Sequence, residues 1–313
     1  MKVLLMKTID DLFADLPTTS PSESNANNNK GSAKSIIDKN RSQNYLKTKG
    51  ITIQSAVVLR SLFEKNIRDD HRIMPNDFGR SSLFLATDKR KPREFFTRKK
   101  IFHMHSKIAL YYTGTELRAG DDELLWMQII HYSIDANLGA KVSIPITQIL
   151  KDLNLTRSKK NYDRIADSLS RLKATEIFIE NQSTYGQSGG LSLIDNYVID
   201  KSEGQMTLHV SIPRELVILY AGNTFTNLPW EAYKQLKPVS KRLLDYCYSH
   251  KNPNPLPVAV FSQLCTGSNV VDNRNALQNA RRACAELLER GLVAMAFIEN
   301  GTIFLQRHSK EVQ

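Results

Sequence analysis

The chain has 313 residues, 41% of them apolar, with 43 Lys and Arg against 32 Asp and Glu for a formal net charge of +11. That is enough apolar material for one or two packed domains plus a tail, and the charge suits a polyanion, nucleic acid before an anionic membrane. No apolar run approaches the ~20 residues that span a bilayer. Val3-Leu4-Leu5-Met6 is too short for a signal-peptide core, and the odd, scattered Cys247, Cys265 and Cys284 point to reduced thiols in the cytoplasm. Cys247 and His250 alone cannot make a metal site, so neither a metal nor a cofactor is expected.

Residues 1–50 include Pro17-Thr18-Thr19-Ser20-Pro21 and Asn27-Asn28-Asn29, a composition that cannot bury enough surface to order itself, and read as a flexible tail. Residues 51–100 read as a basic helical and irregular arm. A helix over 51–70 presents Val57, Val58, Leu62 and Phe63, and residues 86–107 hold eight Lys and Arg against two Asp and Glu. Lys89 and Arg90 in that arm suit phosphate contacts, although plain solvation fits the same composition.

A first domain is expected over 101–213. Ile101–Tyr112 reads as a strand, and Asp121-Asp122-Glu123 open a helix whose positive end they complement, with Gly139 as its stop. A short helix follows over 145–153, then a tight connection at Asn154-Leu155. A longer helix runs over 156–175, with Ser158 at its start, Tyr162, Ile165, Leu169 and Leu172 on one face, and Lys160, Arg164 and Arg171 on the other. Arg157, Ser158, Lys159, Lys160, Arg164 and Arg171 are its candidate DNA contacts; a solvated face with i,i+4 ion pairs is the plain alternative. Strands over 176–180 and 190–194 flank a polar tip. Helix, turn, basic helix, hairpin is the order of a winged helix-turn-helix, in which the second helix enters the major groove and the hairpin touches the backbone. Another strand, 206–212, places Leu208, Val210 and Ile212 inward.

A second domain of related plan is expected over 214–313. Helices are predicted at 213–221, 229–236 and 238–250, then at 257–264 and 272–290, before a hairpin turning on Asn300-Gly301. Pro145 to Leu172 spans 27 positions and Pro257 to Leu288 spans 31, which predicts a longer turn in the second unit. The long helix has Ala276, Ala280, Cys284, Leu287 and Leu288 on its core side. Asn273, Arg274, Asn275, Gln278, Asn279, Arg281 and Arg282 lie on the other. Arg pairs with guanine O6/N7 and Asn or Gln with adenine N6/N7, so this row is a candidate base reader or else a polar exposed face. The predicted fold class is therefore α+β: two tandem winged-helix domains behind a disordered tail.

Several stretches resemble the TrfA-type replication initiators of broad-host-range plasmids. They are Arg80-Ser81-Ser82-Leu83-Phe84, Lys91-Pro92-Arg93-Glu94, Tyr112-Thr113-Gly114-Thr115-Glu116-Leu117, Asp121-Asp122-Glu123, and Tyr162-x-Arg164-x4-Leu169-Ser170-Arg171. Ala174-Thr175, Leu191-Ser192-Leu193-Ile194, Glu215-Leu216-Val217, Phe225-Thr226 and Ser249-His250 continue the likeness, which covers about residues 75–307. The resemblance implies binding of repeated double-stranded origin sequences (iterons) and opening of adjacent A+T-rich DNA, with contact to its single strands. It also implies recruitment of the host initiator ATPase and replicative helicase in a bacterial cytoplasm, and self-association into an inactive dimer.

No G-x-x-x-x-G-K-[ST] loop is present, and no enzymatic activity is expected. A rolling-circle nickase, with His103-Met104-His105 on a strand and Tyr233 as nucleophile, is a weaker rival; a winged-helix transcription regulator is the nearer one. In the tail, Ile9-Asp10-Asp11-Leu12-Phe13 resembles the Gln-x-x-Leu-Phe peptide that docks on the replicative sliding clamp. Leu12 and Phe13 would fill the apolar pocket, and Ile9 stands where the Gln is usual.

Overall fold

In a computed structural model, the structure describes residues 67–137, 139–181, 189–220 and 224–308. The tail with its segment 9–13, the predicted helix up to residue 66, and the tip at 182–188 lie outside the described residues. The architecture is α+β. The described chain enters through strand β1 (His71–Pro75), a one-turn helix α1 (Asn76–Gly79) and a short strand β2 (Phe84–Leu85). Ile73, Met74, Phe78 and Phe84 are at most 1% exposed. The rings of Phe78 and Phe84 tilt onto Trp126 at 5.5 and 5.9 Å. Residues 67–85 of the expected arm are therefore in large part core.

Its basic stretch is also ordered. Strand β3 (Phe95–Ile101) pairs antiparallel with β4 (Ile108–Thr115). The single strand expected over 101–112 is thus a reversal, and His103 sits in the turn region, bridged to Ser81. β3 is the edge of its sheet. Edge strands carry charge to discourage further pairing, and such charge hides the alternation that marks a strand. β5 (Leu117–Arg118) then runs parallel to β2.

Helix α2 (Asp122–Ser133) is capped by Asp121, whose carboxylate accepts from the Asp122 amide. It stops at Ser133, whose hydroxyl bonds back to the Ile129 carbonyl, and Gly139 falls in the turn beyond, at φ +78°. Strand β6 (Lys141–Pro145) leads into α3 (Ile146–Asp152) and α4 (Lys159–Lys173). The tight connection uses Asn154 at φ +55°, a conformation Asn tolerates better than most residues. Ile149, Leu150, Leu169 and Leu172 are fully buried. Ser158 does stand at the start of α4 in extended conformation, but its side chain makes no capping bond. The local turn is tied instead by Asn161, which donates to the Thr156 carbonyl at 2.8 Å.

The hairpin expected after α4 is part of a larger sheet. β7 (Glu176–Asn181) lies between β4 and β8 (Gly189–Leu191), inside the four-stranded sheet β3-β4-β7-β8. A second hairpin follows, β9 (Asn196–Asp200) and β10 (Thr207–Ser211), and β10 pairs with both β9 and β6. The sheet order is β6-β10-β9.

After a 3-10 turn at Arg214–Leu216 and a short helix α5 (Val217–Tyr220), β11 (Phe225–Pro229) pairs with β1. Then come α6 (Trp230–Gln235), α7 (Pro238–Tyr248), β12 (Leu256–Pro257), α8 (Val258–Thr266), α9 (Asn273–Glu289), β13 (Met295–Glu299) and β14 (Thr302–Gln306). The last sheet runs β12-β14-β13, repeating first strand, third, second. The plan helix, strand, helix, helix, hairpin therefore occurs twice. The longer second turn does not: residues 153–158 and 267–272 are connections of equal length, and α8 is nine residues where α3 is seven. Gly267 ends α8 at φ +66°, and Asn300-Gly301 turn the last hairpin with φ +47° and +72°. Leu288, expected in the core, is 42% exposed, past the edge of the buried stripe. Among the described residues no helix is long and apolar enough to cross a membrane.

The two repeats meet through α2 and α7. Arg242, fully buried, donates to Glu123 (3.2 Å), to Asp245 (2.8 Å) and to the carbonyls of Gly79 (2.9 Å) and Ser81 (2.7 Å). Tyr233, the nucleophile of the nickase alternative, is buried beside them and donates to Asp245 at 2.9 Å. It is a structural side chain.

The contrast across α9 is testable by urea unfolding. Leu287→Ala should cost about 2–5 kcal/mol, a buried leucine truncated in a close-packed site. Asn279→Ala, on the exposed side of the same helix, should change stability by less than about 0.5 kcal/mol.

Candidate nucleic-acid interface

Helix α9 starts on Asp272, whose carboxylate accepts from the amides of Arg274 and Asn275, both at 3.1 Å, and from the Asn275 side chain at 2.5 Å. Those bonds, the Asn275 amide first, hold the Asp272 carboxyl below its usual range. Ala276, Ala280, Ala283, Cys284 and Leu287 bury the opposite face. Asn273, Arg274, Asn275, Gln278, Asn279, Arg281 and Arg282 are all exposed. Apart from Asn275 at the cap, none of their side chains is spent on a partner among the described residues. The row expected from sequence is exposed there as one face.

The first repeat is more mixed. Lys89, Lys159, Lys160, Arg164 and Arg171, far apart in sequence, line one groove of about 620 Å³ together with Arg93, Arg118, Asp121, Asp163 and Asp167. Its floor is a neutralised network. Arg93 donates to Asp121 and Asp122, both at 2.7 Å, and Arg171 donates to Asp122 at 2.8 and 3.0 Å. Arg118 pairs with Glu116 at 2.6 Å, and Arg164 donates to the Gly120 carbonyl at 2.9 Å. Burial works against the charge on Asp121, yet Arg93 holds its carboxyl below the ordinary range. Burial, then the neighbouring Asp121 charge, lift the Asp122 carboxyl against the pull of Arg93 and Arg171.

Arg171 and Arg164 line the groove but already have acceptors in the corner 119–122. The 3.6-residue period puts them on the outer side of α4, but it cannot show that the corner 119–122 packs over that side. Arg90 is also engaged, by exposed Asp88 at 2.7 Å. The exposed cations left at the rim are Lys89, Lys159 and Lys160, with Arg157 just before α4.

A third surface escaped the sequence reading. At a register shift in β3, Arg98 adopts φ +45° and lays its guanidinium 5.1 Å from the Phe178 ring centre and 5.8 Å from that of Tyr111. Tyr111 and Phe178 meet edge to face at 6.1 Å. Phe95 is 68% exposed on the same strand, and Lys99 lies over Phe96 at 4.0 Å. The signal was Phe95-Phe96-Thr97, β-forming residues inside the basic run.

Two other groups fall elsewhere. His103 has a nearly buried side chain 3.7 Å from Asp77, while His105 is exposed, and no group of three or more His, Cys, Asp or Glu among the described residues could hold a metal. A larger cleft of about 1090 Å³, between the β1–β11 pair and the C-terminal hairpin, contains none of the predicted contacts.

The division between structural and free cations predicts different consequences for neighbours on one helix. Arg171→Met should destabilise the protein by about 3 kcal/mol, because a buried carboxylate loses a partner. Lys160→Met should change stability by less than about 0.5 kcal/mol. Chemical denaturation of the two variants checks this.

The family model described as TrfA protein matches residues 31–307. One relative, the plasmid replication initiator protein TrfA of Escherichia coli, is 34% identical over 240 residues, which is 76% of this chain and 62% of the relative. The match thus spans less than two thirds of that relative's length. Two solved structures of domains 2 and 3 of RctB superpose at 12% and 14% identity. Their TM-scores are 0.49 and 0.46, and they cover 76% and 71% of this chain and 99% and 93% of theirs. The family match and the relative agree with the stretches of likeness in the sequence: the chain belongs to the TrfA family.

Proposed function

We propose that the protein initiates plasmid replication by binding repeated double-stranded origin sequences through two winged helices, one in each repeat of the fold. The observation that carries this reading is α9, a capped helix with one face in the core and an unspent Asn/Gln/Arg row on the other. Arg and the side-chain amides match the donor and acceptor patterns of base edges in the major groove. The hairpin that serves as wing in the first repeat is β9–β10, the counterpart of β13–β14, and not the strands that directly follow α4. Lys89, Lys159 and Lys160 supply phosphate contacts, which fix position without reading sequence.

In this reading the protein is a binding device without catalytic residues. Opening of A+T-rich DNA is assisted by the β3–β4–β7 face, where the rings of Tyr111 and Phe178 beside Arg98 and Lys100 suit stacking of unpaired bases. Host initiator ATPase, helicase and sliding clamp are the partners recruited next, and self-association is the off state.

Binding titrations test the two classes of contact. Arg274→Ala and Gln278→Ala should each cost about 1–3 kcal/mol and relax preference at one or two base positions. Removing Lys89, Lys159 or Lys160 should weaken all sequences alike and flatten the log–log salt slope by about one. Unchanged affinity and preference in an Arg274→Ala, Arg282→Ala double variant would refute the α9 assignment. A plasmid carrying only the candidate origin and this gene separates an initiator, which sustains replication, from a transcription regulator, which does not.

A further inference from the structure

We propose that the cleft between the β1–β11 pair and the C-terminal hairpin is a docking site for an acidic amphipathic peptide, and that its occupant is this chain's own segment 9–16. The proposal stands apart from the DNA-binding reading and concerns a surface that shares no residue with the α9 row or the groove beside α4.

The cleft has a volume of about 1090 Å³. Arg68, Lys251 and Arg307 line it with His71, His250 and His308, and among the described residues no carboxylate does. Asp70 answers Arg68 and His71, both at 2.8 Å. Lys251 is exposed and pairs with no carboxylate among the described residues. Arg307 donates to the carbonyls of Tyr248 and His250, both at 3.2 Å, which leaves its charge unanswered. Tyr248, Pro253 and Leu305 supply apolar wall. Asn227 also lines the cleft, and its Oδ1 is buried with no hydrogen-bond partner among the described residues, an acceptor left for a ligand donor. The groove beside α4 differs, because Asp121, Asp163 and Asp167 line it with the cations. The α9 row is an exposed helix face of amides and guanidinium groups, with no hollow for apolar side chains. A ligand bringing both carboxylates and apolar anchors is matched by the cleft and by neither of these.

The segment Ile9-Asp10-Asp11-Leu12-Phe13-Ala14-Asp15-Leu16 is such a ligand. Ile9, Leu12, Phe13 and Leu16 recur at i, i+3, i+4 and i+7, the spacing of one helix face, and that is the anchor pattern of helix-in-groove recognition. The segment carries three acids and no cation, the reverse of the lining. Where the described chain begins also favours it, since Arg68 already lines the cleft. A relaxed coil joining Leu16 to Ile67 reaches about 40 Å. Such a tether keeps the segment at a high effective concentration, so weak contacts suffice. Leu12 and Phe13 are also the side chains that resemble the clamp-docking peptide, so occupation of the cleft withholds them from that partner.

The test is zero-length cross-linking of the full chain with a water-soluble carbodiimide, which joins a carboxylate to a lysine amine only where the two touch. Peptide mapping of the monomer-mass product should find Lys251 joined to Asp10, Asp11 or Asp15. Leu12→Ala with Phe13→Ala, which leaves every charge in place, should lower that yield by about tenfold or more, because truncated anchors release the segment. Lys251→Glu should abolish the link, and adding Asp11→Lys to it should restore one with the charges exchanged. Links from the three acids spread alike over Lys159, Lys160 and Lys251, or no link at all, would overturn the inference. So would a Lys251 link that survives the loss of Leu12 and Phe13. A link found only in dimer-mass product overturns it as well, by making a second copy the source of the segment. Duplex titration of the same variants is a separate readout, so failure here leaves the DNA-binding reading standing.

Discussion

A buried guanidinium has five donors and cannot shed its charge, so the fold around it must supply acceptors. Arg242 imposes that demand at the centre of this protein. It takes carboxylate oxygens from Glu123 on α2 and Asp245 on α7, and carbonyl oxygens from the segment 78–81. Three parts of the chain, two of them more than a hundred residues before Arg242, are thereby held at one point. Burial drives the Glu123 carboxyl upward, with the Asp245 charge adding to it, while Arg242 and Lys241 draw it back. Loss of any one of these groups strands another in a medium that solvates charge poorly. The pairing of β1 with β11 follows the same logic at the backbone level, because residues 71–75 and 225–229 close the sheet across the join between the repeats.

Charge elsewhere divides by what burial does to it. The formal excess of +11 is a property of the whole chain, but much of the positive charge near α4 is already answered by Asp121, Asp122 and Glu116. Those pairs shape the groove and contribute little to its field. The field comes from exposed lysines at the rim, whose ammonium groups stay hydrated and mobile. Such groups attract a polyanion over about a Debye length, ~8–10 Å in ordinary salt, and impose no preference among sequences.

The α9 row was legible in the sequence because a single helix carries both faces of the argument: a stripe of Ala, Cys and Leu, and an opposite row of Asn, Gln and Arg. The repeat was legible too, since helix periods and the Asn300-Gly301 turn are local signals. What could not be read was whatever depended on distant chain. Arg164 and Arg171 obey the helical period, yet their surroundings are set by the corner 119–122, some forty to fifty residues earlier. Strand β3 was obscured because its residues answer to edge position and to aromatic partners on β4 and β7 rather than to alternation. The hairpin after α4 was seen correctly as two strands, but its neighbour β4 is invisible from local sequence, so its place in a four-stranded sheet was missed. Likewise the N-terminal segment looked like an arm because Phe78 and Phe84 find their partner, Trp126, only in the folded chain.

The two repeats share a plan but not a surface chemistry, and the difference assigns them different work within the proposed function. The exposed row of α9 is made of amides and guanidinium groups, which present paired donors and acceptors in fixed geometry and can distinguish base pairs. The exposed charges beside α4 are ammonium groups on flexible stems, interleaved with Asp163 and Asp167, which repel phosphate. An ammonium is a point charge with rotatable donors and discriminates weakly. On this reading α9 supplies sequence preference, and the rim of Lys89, Lys159 and Lys160 supplies salt-dependent grip. Neither contribution would suffice by itself: one short row of base contacts is modest in affinity, and three lysines are indifferent to sequence. Their combination divides the labour: the base contacts of α9 choose the site, and the lysines hold the protein on it.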